Sequence, residues 1–287
     1  MKLDEPYESG FWIVNIDGLG PVQANINTTE IVTFDGSIYN SARGNERNIV
    51  MDLIFESRDI EDIRHLTYRY FPIKGKVTVR VETDHRLCEI DGYVESNDPT
   101  IFSRKESTSI SILCPSAWFK DVSEEGNRSV NFYGIDPLFE FPFSNESLSE
   151  KLIEFGEIRN SFEETFDYNG EVETGFVMTI HALGEIGDVT VYNVDTNDSM
   201  TIYADKLKAL TGSKLQAGDD IIINTIKGEK SARLLRDAKY TNILNCLGRD
   251  ITWFQLVQGE NRFAYSTSEG SANLQLSIKV QNLFQGA

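Results

Sequence analysis

Apolar and polar residues alternate with period two through much of this chain. Residues 76–82 read Lys-Val-Thr-Val-Arg-Val-Glu, which places Val77, Val79 and Val81 on one face and mostly charged side chains on the other. Residues 274–280, Leu-Gln-Leu-Ser-Ile-Lys-Val, follow the same rule. Successive side chains of a strand point to opposite faces, so each segment predicts a half-buried strand with one wet face. Shorter candidates are 11–16, 22–26, 30–34, 49–55, 87–95, 108–114, 176–182, 189–193, 199–203, 220–225 and 262–266, separated by Gly, Asn and Asp turns. Many short strands broken this way predict a mainly β protein of antiparallel sandwiches or barrels.

One helix interrupts the first half. Ser57 or Asp59 can cap it, with Asp59, Glu61 and Asp62 suited to the positive end of its dipole. Ile60, Ile63, Leu66 and Tyr70 recur at helical spacing, which predicts one buried stripe, and Pro72 stops the helix. A second, short helix is expected over 204–210. Segment 120–136 is polar and turn-rich and separates two strand-rich blocks. A chain of 287 residues exceeds the usual single core, so the expected division is 1–128 and 129–287.

Composition narrows the function. Hydrophobic residues at 40% suffice for two cores and argue against global disorder. The net charge is −18, from 45 acidic and 27 basic residues. Residues 1–126 hold 22 acids and 13 bases, and 127–287 hold 23 and 14, so each half carries −9 as a solvated face rather than a tail. Such a surface repels phosphates and anionic lipids, which excludes direct nucleic-acid recognition. Cys88, Cys114 and Cys246 are odd in number and far apart, which predicts buried reduced thiols in a protein made in a cytoplasm. Neither a basic-then-apolar leader at Met1-Lys2-Leu3 nor a run of ~18 apolar residues is present, so neither secretion nor membrane insertion is expected.

Catalytic chemistry finds little support. His65, His85 and His181 share no metal-ligand spacing, so no metal and no cofactor is expected. Gly18-Leu19-Gly20 runs into Pro21 and reads as a turn, and Lys227-Gly228-Glu229-Lys230-Ser231 lacks the order of a phosphate loop and reads as a hairpin turn. Glu163-Glu164 and Asp219-Asp220 are candidate glycosidase acids, against the alternative of chance pairs in a chain with 45 acids. Trp253, Phe254, Tyr240 and Tyr265 either stack on sugar rings from a β-sandwich or fill its core. Arg43-Gly44-Asn45-Glu46-Arg47-Asn48 is a dense charged loop: Arg43, Glu46 and Arg47 are either a subunit or partner interface or a solvated hairpin tip.

The order of these features resembles the distal tail protein (Dit) family of siphophages. In the first half the resemblance rests on Phe11-Trp12-Ile13, Arg43–Ile49 running into Val50-Met51-Asp52-Leu53, the helix ending at Tyr70-Phe71-Pro72, Ile90–Glu95, Ile110–Pro115 and Phe119. In the second half it rests on Phe139–Phe143, Gly170–Gly175, Ile222–Gly228 and Gly259–Tyr265. The resemblance implies an N-terminal ring-forming β-domain with one helix and a C-terminal galectin-like β-sandwich. It also implies a homo-hexameric ring between the tail tube protein and the tail-tip protein (a tail-associated lysin), with a receptor-binding protein as a further partner. That places the chain in the virion, at the distal end of the tail, as a structural subunit and not an enzyme. Carbohydrate binding by the C-terminal sandwich for host attachment is the alternative, and this chain is too short for the large sugar-binding insertions of some relatives.

Overall fold

The computed structural model describes residues 2–3, 5–31, 33, 35–56, 59–136 and 157–287. Ser57, one of the two expected helix caps, and the motif 139–143 lie outside them. The chain divides into two compact units, Met1–Ser123 with Leu283–Ala287, and Glu124–Asn282. The last five residues therefore belong to the first unit, although the sequence reading runs the second domain to residue 287.

The first unit contains α1 (Pro6–Ser9), β1 (Phe11–Asp17), β2 (Ala24–Glu30), β3 (Ser37–Gly44), β4 (Arg47–Phe55), α2 (Ile60–Tyr70), β5 (Lys76–Glu82), β6 (Leu87–Pro99), β7 (Ser107–Cys114) and β8 (Phe119–Asp121). One antiparallel sheet runs β1-β4-β7-β6-β8 and ends on Leu283–Phe284, with β5 also paired to β6. Strand β6 is the hub: Leu87–Tyr93 pair with β5, and Tyr93–Pro99 pair with β7 past a bulge between Val94 and Ser96. Alternation decides which side is dry. Ile49, Met51, Leu53 and Phe55 of β4 and Ile110, Ile112 and Cys114 of β7 share the core with Phe11, Cys88, Ile90 and Phe119. Gly92 lets β6 approach β7, since a Cβ there would lie 2.5 Å from Ile112 and 2.8 Å from the Cys114 sulfur.

Helix α2 forms where expected. The Asp59 carboxylate accepts the Asp62 N–H at 3.3 Å, and the helix closes on Phe71 before Pro72. Its buried stripe is narrower than the pattern implies. Ile63 and Leu66 pack on the core and Thr67 is buried, whereas Ile60 and Tyr70 stay exposed at the helix ends. The single turn α1 has no counterpart in the sequence reading.

The second unit is a two-sheet antiparallel sandwich. Its strands are β9 (Asn127–Asn131), β10 (Tyr133–Asp136), β11 (Glu157–Asn160), β12 (Glu163–Tyr168), β13 (Val177–Ala182), β14 (Val189–Asn193), β15 (Asp198–Ile202), β16 (Asp220–Asn224), β17 (Ser231–Arg236), β18 (Lys239–Asn242), β19 (Gly259–Thr267) and β20 (Leu274–Gln281). Six strands run β18-β17-β16-β13-β20-β9 and four run β12-β19-β14-β15, with β10 and β11 paired beside them. Met178, Ile180, Ile221, Ile223, Leu276 and Ile278 face Phe166, Val189, Val191, Met200, Phe263 and Tyr265 across one core. Helix α3 (Ala204–Thr211) fulfils the expectation over 204–210; Asp188 accepts its first N–H at 2.7 Å, and Gly212, at φ +91°, ends it. The turn-rich segment 120–136 carries β9 and β10.

Candidate assembly site

Strands β2 and β3 form a hairpin of their own, separate from the large sheet. Its turn contains Gly36 at φ +105°, and its register holds through cross-strand bonds, Asn27 to Ser41 at 3.1 Å and Asn40 to Thr29 at 2.6 Å. Every residue of both strands is exposed, including Ile26, Ile38 and Tyr39 at 59%, 47% and 63%. The sequence reading put strands at 22–26 and 30–34; Ala24–Glu30 and Ser37–Gly44 are the strands found, and Thr33 lies in the turn between them. A two-stranded ribbon with no buried face is marginal in water by itself. This one is tied down at its base. The Asn45 N–H donates to the Gln23 carbonyl at 3.0 Å, and a Cβ on Gly44 would sit 3.3 Å from the Trp118 ring.

Below the base sits Arg47, the first residue of β4, only 1% exposed. The charged loop of the sequence reading is thus two residues, Asn45 and Glu46, with strand on either side. Arg43 and Glu46 are exposed, but Arg47 points inward with Ile49, Met51 and Leu53. Its guanidinium donates to four backbone carbonyls: Gly18, Gly20 at 2.6 Å, Ala117 at 2.9 and 3.2 Å, and Gln285 at 2.6 Å. It also lies 4.4 Å from the centroid of the Phe119 ring. None of those acceptors is a carboxylate, and burial lowers the Arg47 pKa from its ordinary value. One side chain thus joins the loop after β1, the approach to β8 and the C-terminal residues. Gly18 fits this crowding because it holds φ +87° and a Cβ would fall 2.0 Å from the Asn48 carbonyl oxygen. Arg47 is therefore an internal anchor of the arm's base, not a surface contact.

The other candidate residues do not converge. His65 is exposed beside Glu61 at 3.6 Å, His85 is exposed, and His181 meets Asp220 at 2.6 Å on the second unit. Among the described residues no cluster of three His, Cys, Asp or Glu is placed to hold a metal ion. Asp219 and Asp220 alternate across β16 and its approach: Asp219 is buried against Arg236, at 2.5 and 2.8 Å, while Asp220 engages His181. Glu163 and Glu164, neighbours on β12, point to opposite faces of the strand. Of the four aromatics offered for sugar stacking, Phe254 and Tyr265 fill the core, and burial raises the Tyr265 pKa. Trp253 packs partly on that core with Lys230 5.5 Å over its ring, and Tyr240 stands alone at 58% exposure. All three cysteines are buried and free. No helix among the described residues is long and apolar enough to cross a membrane.

No protein-family profile matches the chain, and no curated protein matches it in sequence. Solved structures do match. The SPP1 Dit protein, described as a paradigm of the hub adsorption apparatus in phages that infect Gram-positive bacteria, superposes with a TM-score of 0.62 at 10% identity, over 96% of this chain and 94% of that one. The phage P2 baseplate in its activated conformation with Ca superposes at TM-score 0.45 and 12% identity, over 95% and 90%. Over 96% of its length this chain therefore has a mainly β fold similar to that of the SPP1 Dit protein.

Proposed function

We propose that this chain is a structural subunit of a phage tail tip or baseplate, and that it does no catalysis. The observation that carries the proposal is the full-length match to the SPP1 Dit protein, over 96% and 94% of the two chains. In this reading six copies close a ring at the distal end of the tail. The ring joins the tail tube protein to the tail-tip protein (a tail-associated lysin), and a receptor-binding protein is the further partner. The first unit (1–123 with 283–287) forms the ring, and the second (124–282) is a galectin-like sandwich. The exposed arm supports this, because a ribbon that buries nothing in its own chain is suited to burying something in another. Arg43 and Glu46 at the arm's base belong to that assembly surface. The second sandwich is not assigned a sugar site, since two of its four candidate stacking rings are in the core.

Light scattering on the purified chain, across protein and salt concentration, tests this. A ring of six 32.5-kDa copies has a mass of about 195 kDa. Six copies at −18 carry −108 in total, so association strengthens on going from low to moderate salt as the repulsion is screened. A strict monomer in every condition, and also with the tail tube protein added, would overturn the ring.

A further inference from the structure

Two parts of the first unit protrude with apolar residues and unpaired charge, and the charges have opposite sign. The first is the arm. Glu30 ends β2 and Asp35 lies in the turn, both exposed and with no side-chain hydrogen bond or ion pair among the described residues. The second is the turn between β6 and β7. There Ile101 is 47% exposed and Phe102 97% exposed, followed by Arg104 and Lys105, whose charged side chains again have no partner among the described residues. Two adjacent free bases are conspicuous in a chain of net charge −18.

The β6–β7 turn is held firmly for a loop that contacts nothing apolar. The Phe102 N–H donates to the Glu106 carboxylate at 3.2 Å, and the other oxygen of that carboxylate takes Arg64 of α2 at 2.9 Å. The Ser103 hydroxyl donates to the Lys105 carbonyl at 2.7 Å. Phe102 itself stands at φ +60°, a conformation that costs a bulky residue free energy, with its ring in water. Nothing in the fold of the single chain gains from that residue there.

We propose that the β2–β3 arm of one copy docks on the β6–β7 turn of a second copy. Glu30 and Asp35 face Arg104 and Lys105, while the apolar residues of the arm cover Ile101 and Phe102. The inference rests on the ring reading and names its contact. Its logic is charge complementarity combined with symmetry. Two acidic patches repel, so the arm of one copy meets the basic turn of another; made once per neighbour, as the ring reading requires, that contact is head to tail, the kind that closes rings of more than two.

The test uses the full chain and its solution mass against concentration. Glu30→Lys with Asp35→Lys reduces the net charge from −18 to −14, which by itself favours association. The docked contact predicts the reverse, assembly at about tenfold higher concentration. Arg104→Glu with Lys105→Glu weakens assembly likewise. An equimolar mixture of the two double variants recovers it, because each mutated arm then meets a complementary turn in an alternating ring of even number. Phe102→Gly separates docking from folding: it raises the melting temperature of the chain by relieving the positive φ, yet weakens assembly. If the parent assembles and both double variants assemble at parental concentration, or the mixture does no better than either alone, this contact is wrong and the ring stands. If the parent never assembles, the ring reading fails and the contact with it.

Discussion

The two units hold an inward-reaching arginine in opposite ways, one fully buried and one only partly. In the second, Arg236 reaches Ser213 at 2.6 Å and meets Asp219 through two charge-assisted bonds at 2.5 and 2.8 Å, and the bonds to Asp219 raise its pKa. In the first, Arg47 has backbone carbonyls and the Phe119 ring but no carboxylate, and burial lowers its pKa. The ion pair of the second unit sits at the margin of a core already closed by two facing sheets. The carbonyl cage of the first gathers three separate segments at the place where the arm departs and the C-terminal residues return. A unit that closes itself can afford a local ion pair. A unit built around an outward arm relies on one polar hub to hold several segments together.

The strongest way to break that comparison is Arg47→Met. Four backbone carbonyls around a buried guanidinium lose their donor, while most of the side-chain volume is kept. The cost is about 3 kcal/mol, or about 10 °C in the first unit's melting. Hydrogen exchange read segment by segment should show faster opening at 17–20, 117–121 and 283–287, with the second sandwich unchanged. Loss of protection across both units together would mean that Arg47 is not a local anchor. Next in size is Asp219→Asn, which leaves Arg236 without its counter-charge. Arg236 keeps 20% exposure, so the cost is nearer about 2 kcal/mol. That loss should appear in the second unit alone, around the loop 211–219. Equal destabilisation by the two substitutions would remove the distinction between hub and margin.

How much of this was legible in sequence follows from the same contrast. Strands with one wet face announce themselves: β5, β14 and β20 lie where alternation put them. The arm has two wet faces, so no apolar pattern fixed its strands or register, and β3 was passed over. Strands β17 and β18 escaped for another reason. Their two-residue turn is Asp237-Ala238, both at positive φ, and without the usual glycine it gives no hairpin signal. Arg47 was within reach. The inward set Phe55, Leu53, Met51, Ile49 extends by two residues to Arg47, and following the alternation, instead of stopping at the first charge, would have placed it inside.

The smallest expected effect separates charge from shape on the two outer surfaces. Asp91, in the first unit, accepts from Thr78 at 2.6 Å and Lys76 at 3.0 Å, which hold its pKa below the ordinary aspartate value. Asp195, in the second, takes both the side chain and the backbone N–H of Arg262, with the same result. A carboxylate whose pKa is depressed by folding stabilises the fold above its unfolded value, and that contribution is lost as pH falls through the lower folded value. Asp91→Asn and Asp195→Asn should therefore each lower the melting of their own unit slightly at pH 7. The gap to the parent should close as pH falls from about 4 toward 2, where the parent aspartates are themselves neutral. A gap that persists at the acid end would mean that these aspartates act through hydrogen-bond geometry. The outer faces of both units would then owe little to charge, and the acidity of the chain would act on assembly rather than on folding.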